Sequence, residues 1–152
     1  NAKFVEQDEW EAPTLAGWLE TLEREIMMAT RPVVLVGHSL GVQTIVAASQ
    51  TQADTKVKGA FLVAPPDVDE HPDVPEATSP FRGLSSDPLR FPSMLVASSN
   101  DPYCSVERAA EFAARWGSDF HVAGDVGHIN IESGHGPWPE GLLMFTRLMS
   151  RI

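Results

Sequence analysis

The chain predicts an α/β fold, a three-layer α/β/α sandwich around a mainly parallel sheet, and three observations carry that expectation. Strand-like apolar runs alternate with helix-like segments, as in sheets built from βαβ units. One run, Val33 to Val36, feeds directly into Gly37-His38-Ser39-Leu40-Gly41, a G-x-S-x-G pattern set between strand and helix. Two residues able to work with a serine, Asp101 and His128, each come after a later strand candidate, at the carboxyl edge where open α/β sheets place their sites.

Taken in chain order, Lys3 to Glu6 reads as a short strand. Thr14 to Met28 is an amphipathic helix with Thr14 as N-cap and Leu15, Trp18, Leu19, Leu22 and Ile26 on one face. Val33 to Val36 is aliphatic throughout, as a parallel strand buried on both faces would be. Leu40 to Gln50 then reads as a helix burying Val42, Ile45, Val46 and Ala47, and Gly59 to Ala64 as another buried strand. Pro92 to Ser98 is a strand ending in Ser99-Asn100-Asp101-Pro102-Tyr103. Ser105 caps a helix through Trp116 that turns Val106, Ala109, Ala110, Phe112 and Ala113 inward. Asp119 to Ala123 is a weaker strand, interrupted by His121, and leads into Gly124-Asp125-Val126-Gly127-His128. Pro139 suits the first turn of a last helix through Met149, presenting Leu142, Leu143, Phe145, Leu148 and Met149.

Between the second and third central strands lies Pro65 to Pro92, which holds seven of the twelve prolines. Loops of this length are functional or disordered, and this one comes after a strand that ends on the same edge as Ser39. It is expected to be a compact cap over an acyl pocket, with Phe81, Leu84, Leu89 and Phe91 pointing inward; a proline-stiffened surface loop is the plainer alternative.

Composition narrows the possibilities. With 152 residues, 43% of them hydrophobic and 21% charged, residues 1–152 are expected to form a single domain. The net charge of −10, from 21 acidic against 11 basic residues, argues against nucleic acid as a partner. No apolar run approaches the roughly 20 residues of a membrane-spanning helix, and no signal peptide is visible, so no membrane association and a cytoplasmic location are expected. The lone Cys104 has no internal disulfide partner and is expected to be a buried structural residue.

The residue types set the chemistry. A sharp strand-to-helix turn exposes Ser39, but a serine hydroxyl is a poor nucleophile near neutral pH and needs an imidazole to accept its proton. A carboxylate on the other ring nitrogen fixes the tautomer and stabilises the imidazolium. Ser39 is therefore assigned as nucleophile, His128 as general base and acid, and Asp101 as the orienting carboxylate. The Leu40 backbone N–H would hold the oxyanion, together with a second donor from another loop. His135 is the rival base but lies further from a strand end; Asp119 precedes its strand, and Asp125 sits too near His128 in sequence to orient it. His38, the variable residue of the elbow, is expected to pack beside the turn and, with Phe81 and Trp138, to border the substrate pocket; Trp138 and Pro139 anchor the end of the loop carrying His128. His71 and His121 read as structural or solvated. Asp125, His128, Glu132 and His135 match no metal-ligand spacing, so neither a metal nor another cofactor is expected.

Three segments, VVLVGHSLG (Val33 to Gly41), PSMLVASSNDPYCS (Pro92 to Ser105) and GDVGHINIESGHGPWPEG (Gly124 to Gly141), resemble the small serine hydrolases of the α/β-hydrolase superfamily that include retinoblastoma-binding protein and its bacterial relatives. The resemblance runs from about Phe4 to the C-terminus. It implies a compact α/β-hydrolase fold, the triad Ser39, Asp101 and His128, and cleavage of a small-molecule ester, or less readily an amide, through an acyl-enzyme. A scaffold that keeps the fold and binds a protein partner, and an acyltransferase using the same triad, are its alternatives. In proteins of this kind a strand and a loop precede the segment matching Asn1, and that loop provides the second oxyanion donor. Nothing in this chain matches it, and the chain does not begin with Met, so a unit of about 30 residues is expected to lie outside it.

Overall fold

A computed structural model describes all of residues 1–152. The elements are α1 (Leu15–Met28), β1 (Val33–His38), α2 (Leu40–Ala48), β2 (Val57–Val63), β3 (Ser93–Ala97), α3 (Val106–Trp116), β4 (Asp119–Val122) and α4 (Pro139–Met149), with 3₁₀ turns at Gln52–Lys56 and Glu76–Phe81. The strands form one parallel sheet in the order β1-β2-β3-β4.

That order decides how the layers fill. A sheet wound in one direction through right-handed crossovers sends its connections over one face. Accordingly α1, α2 and α3 share one side, where twenty buried apolar residues, among them Ile26, Leu35, Val46, Leu62, Leu95 and Phe112, form the main core. The other side carries α4 and a smaller cluster of Phe61, Val63, Ala64, Met94, Val96, Ile129 and Leu148. The α/β/α sandwich is therefore unequally filled. Val36, expected to be covered on both sides, is 63% exposed, because β1 is an edge strand and α4 packs on β2.

The helix caps match their sequences. Thr14 accepts from Gly17 N–H and Ser105 from Arg108 N–H, each satisfying an otherwise orphaned first-turn donor, and Gly117 closes α3 in the left-handed conformation that favours glycine. Two expectations fail. Lys3 to Glu6 forms no strand: with only Phe4 and Val5 apolar, the segment is tied elsewhere, through Lys3 to Glu25 at 2.6 Å and through Val5 against the main core. In α4 the sheet-facing stripe is Gly141, Met144, Phe145 and Leu148, while Leu142, Leu143 and Met149 are exposed. The helix is apolar nearly all round, so periodicity alone does not fix its rotation.

The segment between β2 and β3 is well packed. Leu89 and Phe91 enter the main core and Leu84 packs partly against it, whereas Phe81 is fully buried with Trp18 and Val68. Asp67 N–H donates to the Tyr103 carbonyl at 2.9 Å, and the largely buried Asp67 carboxylate lies 3.3 Å from Arg108 of α3. The start of the segment is thus fastened to the loop after β3.

Candidate active site

Ser39 ends the turn from β1 into α2 with φ 56° and ψ −124°, a strained geometry for a residue with a Cβ. It is held by its own N–H, which donates to the Val63 carbonyl of β2 at 3.0 Å. Gly37 is required here, since a Cβ would meet Ile45 Cδ1 at 2.6 Å and the Gly41 backbone at 2.9 Å. Gly41 is not: an added Cβ meets nothing within 4 Å, so of the two glycines of the motif only Gly37 is required by close packing. Although Ser39 sits at the N-cap of α2, its hydroxyl makes no capping bond and instead lies 2.9 Å from His128 Nε2.

The opposite ring nitrogen, His128 Nδ1, is 3.0 Å from both carboxylate oxygens of Asp101. Asp101 Oδ1 is in turn held by the Tyr103 N–H at 3.0 Å. Ser39, His128 and Asp101, drawn from the segments that follow the carboxyl ends of β1, β4 and β3, are thus hydrogen-bonded in series, with His128 8% exposed. Leu40 opens α2 beside them, in the first turn where backbone N–H groups have no intrahelical acceptor.

The rival residues lie elsewhere. His135 Nδ1 is 3.2 Å from Ser133 Oγ, with its ring edge-on to Trp138. Asp119 pairs with Arg151 at the start of β4, and Asp125 is exposed. No three His, Cys, Asp or Glu side chains converge as a metal would require. Of the pocket residues, Phe81 is a packing group with Leu40 resting on its cluster, and Trp138 packs on Phe61 and against Gly141. Cys104 is buried, and desolvation first, then the Asp67 and Asp101 charges, push its thiol up to about 12.

Three supports were not foreseen. Asn100 Oδ1 accepts from the Gly127 N–H at 2.7 Å, and Ser98 Oγ accepts from the Val126 N–H at 3.1 Å, stitching the His128 loop to the end of β3. The Tyr103 ring stands 4.9 Å from that of His128 at 88°. A signal was present in the run Ser98-Ser99-Asn100: Ser98 is fully buried at the end of an apolar strand, and a polar group there needs partners.

A family model described as serine hydrolase matches residues 1–147. A YdeN-like hydrolase from Pectobacterium atrosepticum is similar at 33% identity over 95% of this chain and 74% of that one, with a TM-score of 0.82. The ydeN product of Bacillus subtilis, at 18% identity over 95% of this chain and 80% of that one, has a TM-score of 0.76. A monoacylglycerol lipase from Paleococcus ferrophilus, at 16% identity over 93% and 77%, has a TM-score of 0.68. At those identities the last two show the fold alone. No curated protein matches the chain.

Proposed function

Because the chain belongs to the serine hydrolase family, with an α/β-hydrolase fold, we propose that it cleaves a small-molecule carboxylic ester through an acyl-enzyme on Ser39. One observation carries this: His128 bridges the Ser39 hydroxyl at 2.9 Å and the Asp101 carboxylate at 3.0 Å. Ser39 Oγ attacks the ester carbonyl as its proton passes to His128 Nε2, and Asp101 stabilises the resulting imidazolium through Nδ1. The Leu40 N–H holds the oxyanion of the tetrahedral intermediate. Collapse breaks the carbonyl–alkoxy bond, and His128 returns the proton to the departing alcohol. Water then attacks the acyl-Ser39, giving its proton to His128, and the carboxylic acid leaves as Ser39 is re-protonated. An ester fits better than an amide because an alkoxide needs less help from the acid to depart than an amine does.

Three finer readings accompany this. The resemblance of the segments Val33 to Gly41, Pro92 to Ser105 and Gly124 to Gly141 supports grouping the chain with the retinoblastoma-binding protein type of serine hydrolase. Residues 65–92 serve as a cap on a single domain, supported by the Asp67 anchors to Tyr103 and Arg108. A cytoplasmic setting suits the single unpaired cysteine.

Fluorophosphonate labelling with peptide mapping, alongside p-nitrophenyl ester turnover, tests the proposal. The adduct is expected on Ser39, and Ser39→Ala or His128→Ala should lower kcat by about 10³-fold or more with the fold intact. Wild-type turnover in either variant would overturn it. A folded wild-type protein that takes no label would point instead to a scaffold that binds a partner.

A further inference from the structure

We propose that His38 is a positioning residue for His128, its ring donating from Nε2 to the His128 carbonyl and so setting the peptide plane that aims His128 at Ser39. The inference deepens the hydrolase mechanism and rests on it. His38 Nε2 is 2.7 Å from the His128 carbonyl oxygen, and the two rings lie 4.8 Å apart at 57°.

The contact matters because the next residue, Ile129, is strained. Ile129 is β-branched yet has φ 52°, in the left-handed region that such side chains rarely occupy. Backbone in such a region persists only when its surroundings over-determine it. The Ile129 N–H has only a long bond of 3.3 Å to the Val126 carbonyl, and its side chain is wedged into the cluster under α4. The His128 carbonyl belongs to the peptide unit between these two residues, so fixing that oxygen fixes the unit.

The fastening comes from the sheet. His38 is the last residue of β1, in register with Val63 of β2, whereas His128 stands in the loop after β4. On the other side of His128, Asn100 in the turn that follows β3 holds the Gly127 N–H at 2.7 Å. The His128 Cα is therefore pinned from the end of β1 on one side and the turn after β3 on the other, which leaves its ring at 2.9 Å from Ser39 Oγ.

Donation to a carbonyl needs a proton on Nε2, which neutral His38 can provide. His38 keeps an exposed edge, but desolvation of its enclosed side lowers its pKa, as does the charge His128 takes on, while the bond to the His128 backbone and the Asp101 carboxylate oppose the shift. His128 and Asp101 are the titratable groups acting on it. A neutral ring makes the bond without opposing the imidazolium that forms 4.8 Å away during turnover.

The test compares His38→Leu, which removes the donor, with His38→Gln, which keeps an N–H, by ester kinetics and by the low-field proton resonance of His128 Nδ1–H. Misplacing a catalytic group by about 1 Å costs up to about 10²-fold, so His38→Leu should lower kcat by about 10- to 100-fold with KM nearly unchanged, and broaden that resonance. His38→Gln should recover most of both. If the Leu variant does not fold, His38→Phe removes the donor and keeps a ring. Wild-type kcat and an unchanged resonance without the donor, or equal loss in the Gln and Leu variants, would overturn the inference. A wild-type protein that neither labels nor turns over ester would instead overturn the hydrolase mechanism, and the resonance would still report whether His38 orders His128.

Discussion

Cys104 lies three positions beyond Asp101, close enough to the site to suggest a chemical role, and its surroundings deny it one. It is 4% exposed, and with its thiol pushed up to about 12 the reactive thiolate at pH 8 is on the order of one part in ten thousand. Iodoacetamide at pH 8 should leave the native protein unmodified and alkylate Cys104 only after unfolding; rapid native alkylation would mean an open environment. The same scale shows where sequence is legible and where it is not. Ser39, at φ 56°, is announced by its glycine-bounded motif. Ala64 and Ile129, at φ 49° and 52°, carry no signature, because nothing in an alanine or isoleucine declares a left-handed backbone. They depend on bonds from distant strands, such as the Ala64 N–H to the Val96 carbonyl at 2.9 Å.

At the level of elements, boundaries were readable and orientations were not. Ser105 and Gly117 bracket α3 and Pro139 opens α4 where the residues indicate, since caps act locally. The rotation of α4 follows instead from what its stripe packs against, Gly141 included: a Cβ there would stand 2.0 Å from Trp138 Cε3, so only glycine lets the helix settle against that ring. This separates two effects of opposite sign. Helix propensity alone predicts that Gly141→Ala gains about 1 kcal/mol, whereas overpacking predicts a loss of about 1–3 kcal/mol. The clash is against a fused ring already seated on Phe61 at 6.4 Å, so the loss should win. A lower Tm and a changed tryptophan emission are expected; a raised Tm with unchanged emission would show that the ring yields freely.

The whole molecule adds an asymmetry that no single segment contains. Val33 to Val36 is as apolar as a strand covered on both faces, yet Val36 is 63% exposed, because coverage depends on the order in which strands are laid down and on the side their crossovers take. With α1, α2 and α3 on one side, the main core holds twenty buried residues; α4 rests on a cluster of seven, of which it contributes only Leu148. Regions with few buried apolar contacts open at lower free energy than the global transition, so stability should come in two tiers. Native-state hydrogen exchange is expected to find the slowest amides in β2, β3 and α2, opening only with global unfolding and with a steep denaturant dependence. The α4 amides should exchange sooner and with a shallow dependence, because a local opening exposes little surface. Trp138, at the start of α4, is edge-on to His135 of the loop that carries His128. Opening of α4 should therefore loosen that loop, and the amides of residues 128–135 should share its exchange behaviour. Leu148→Ala, which empties the one fully anchored position of the helix, should speed exchange in both segments together. Equal protection and equal denaturant slopes in α4 and β2 would mean that the thin face is as firmly held as the thick one, and that the base of the site is supported by the whole fold rather than by its weaker half.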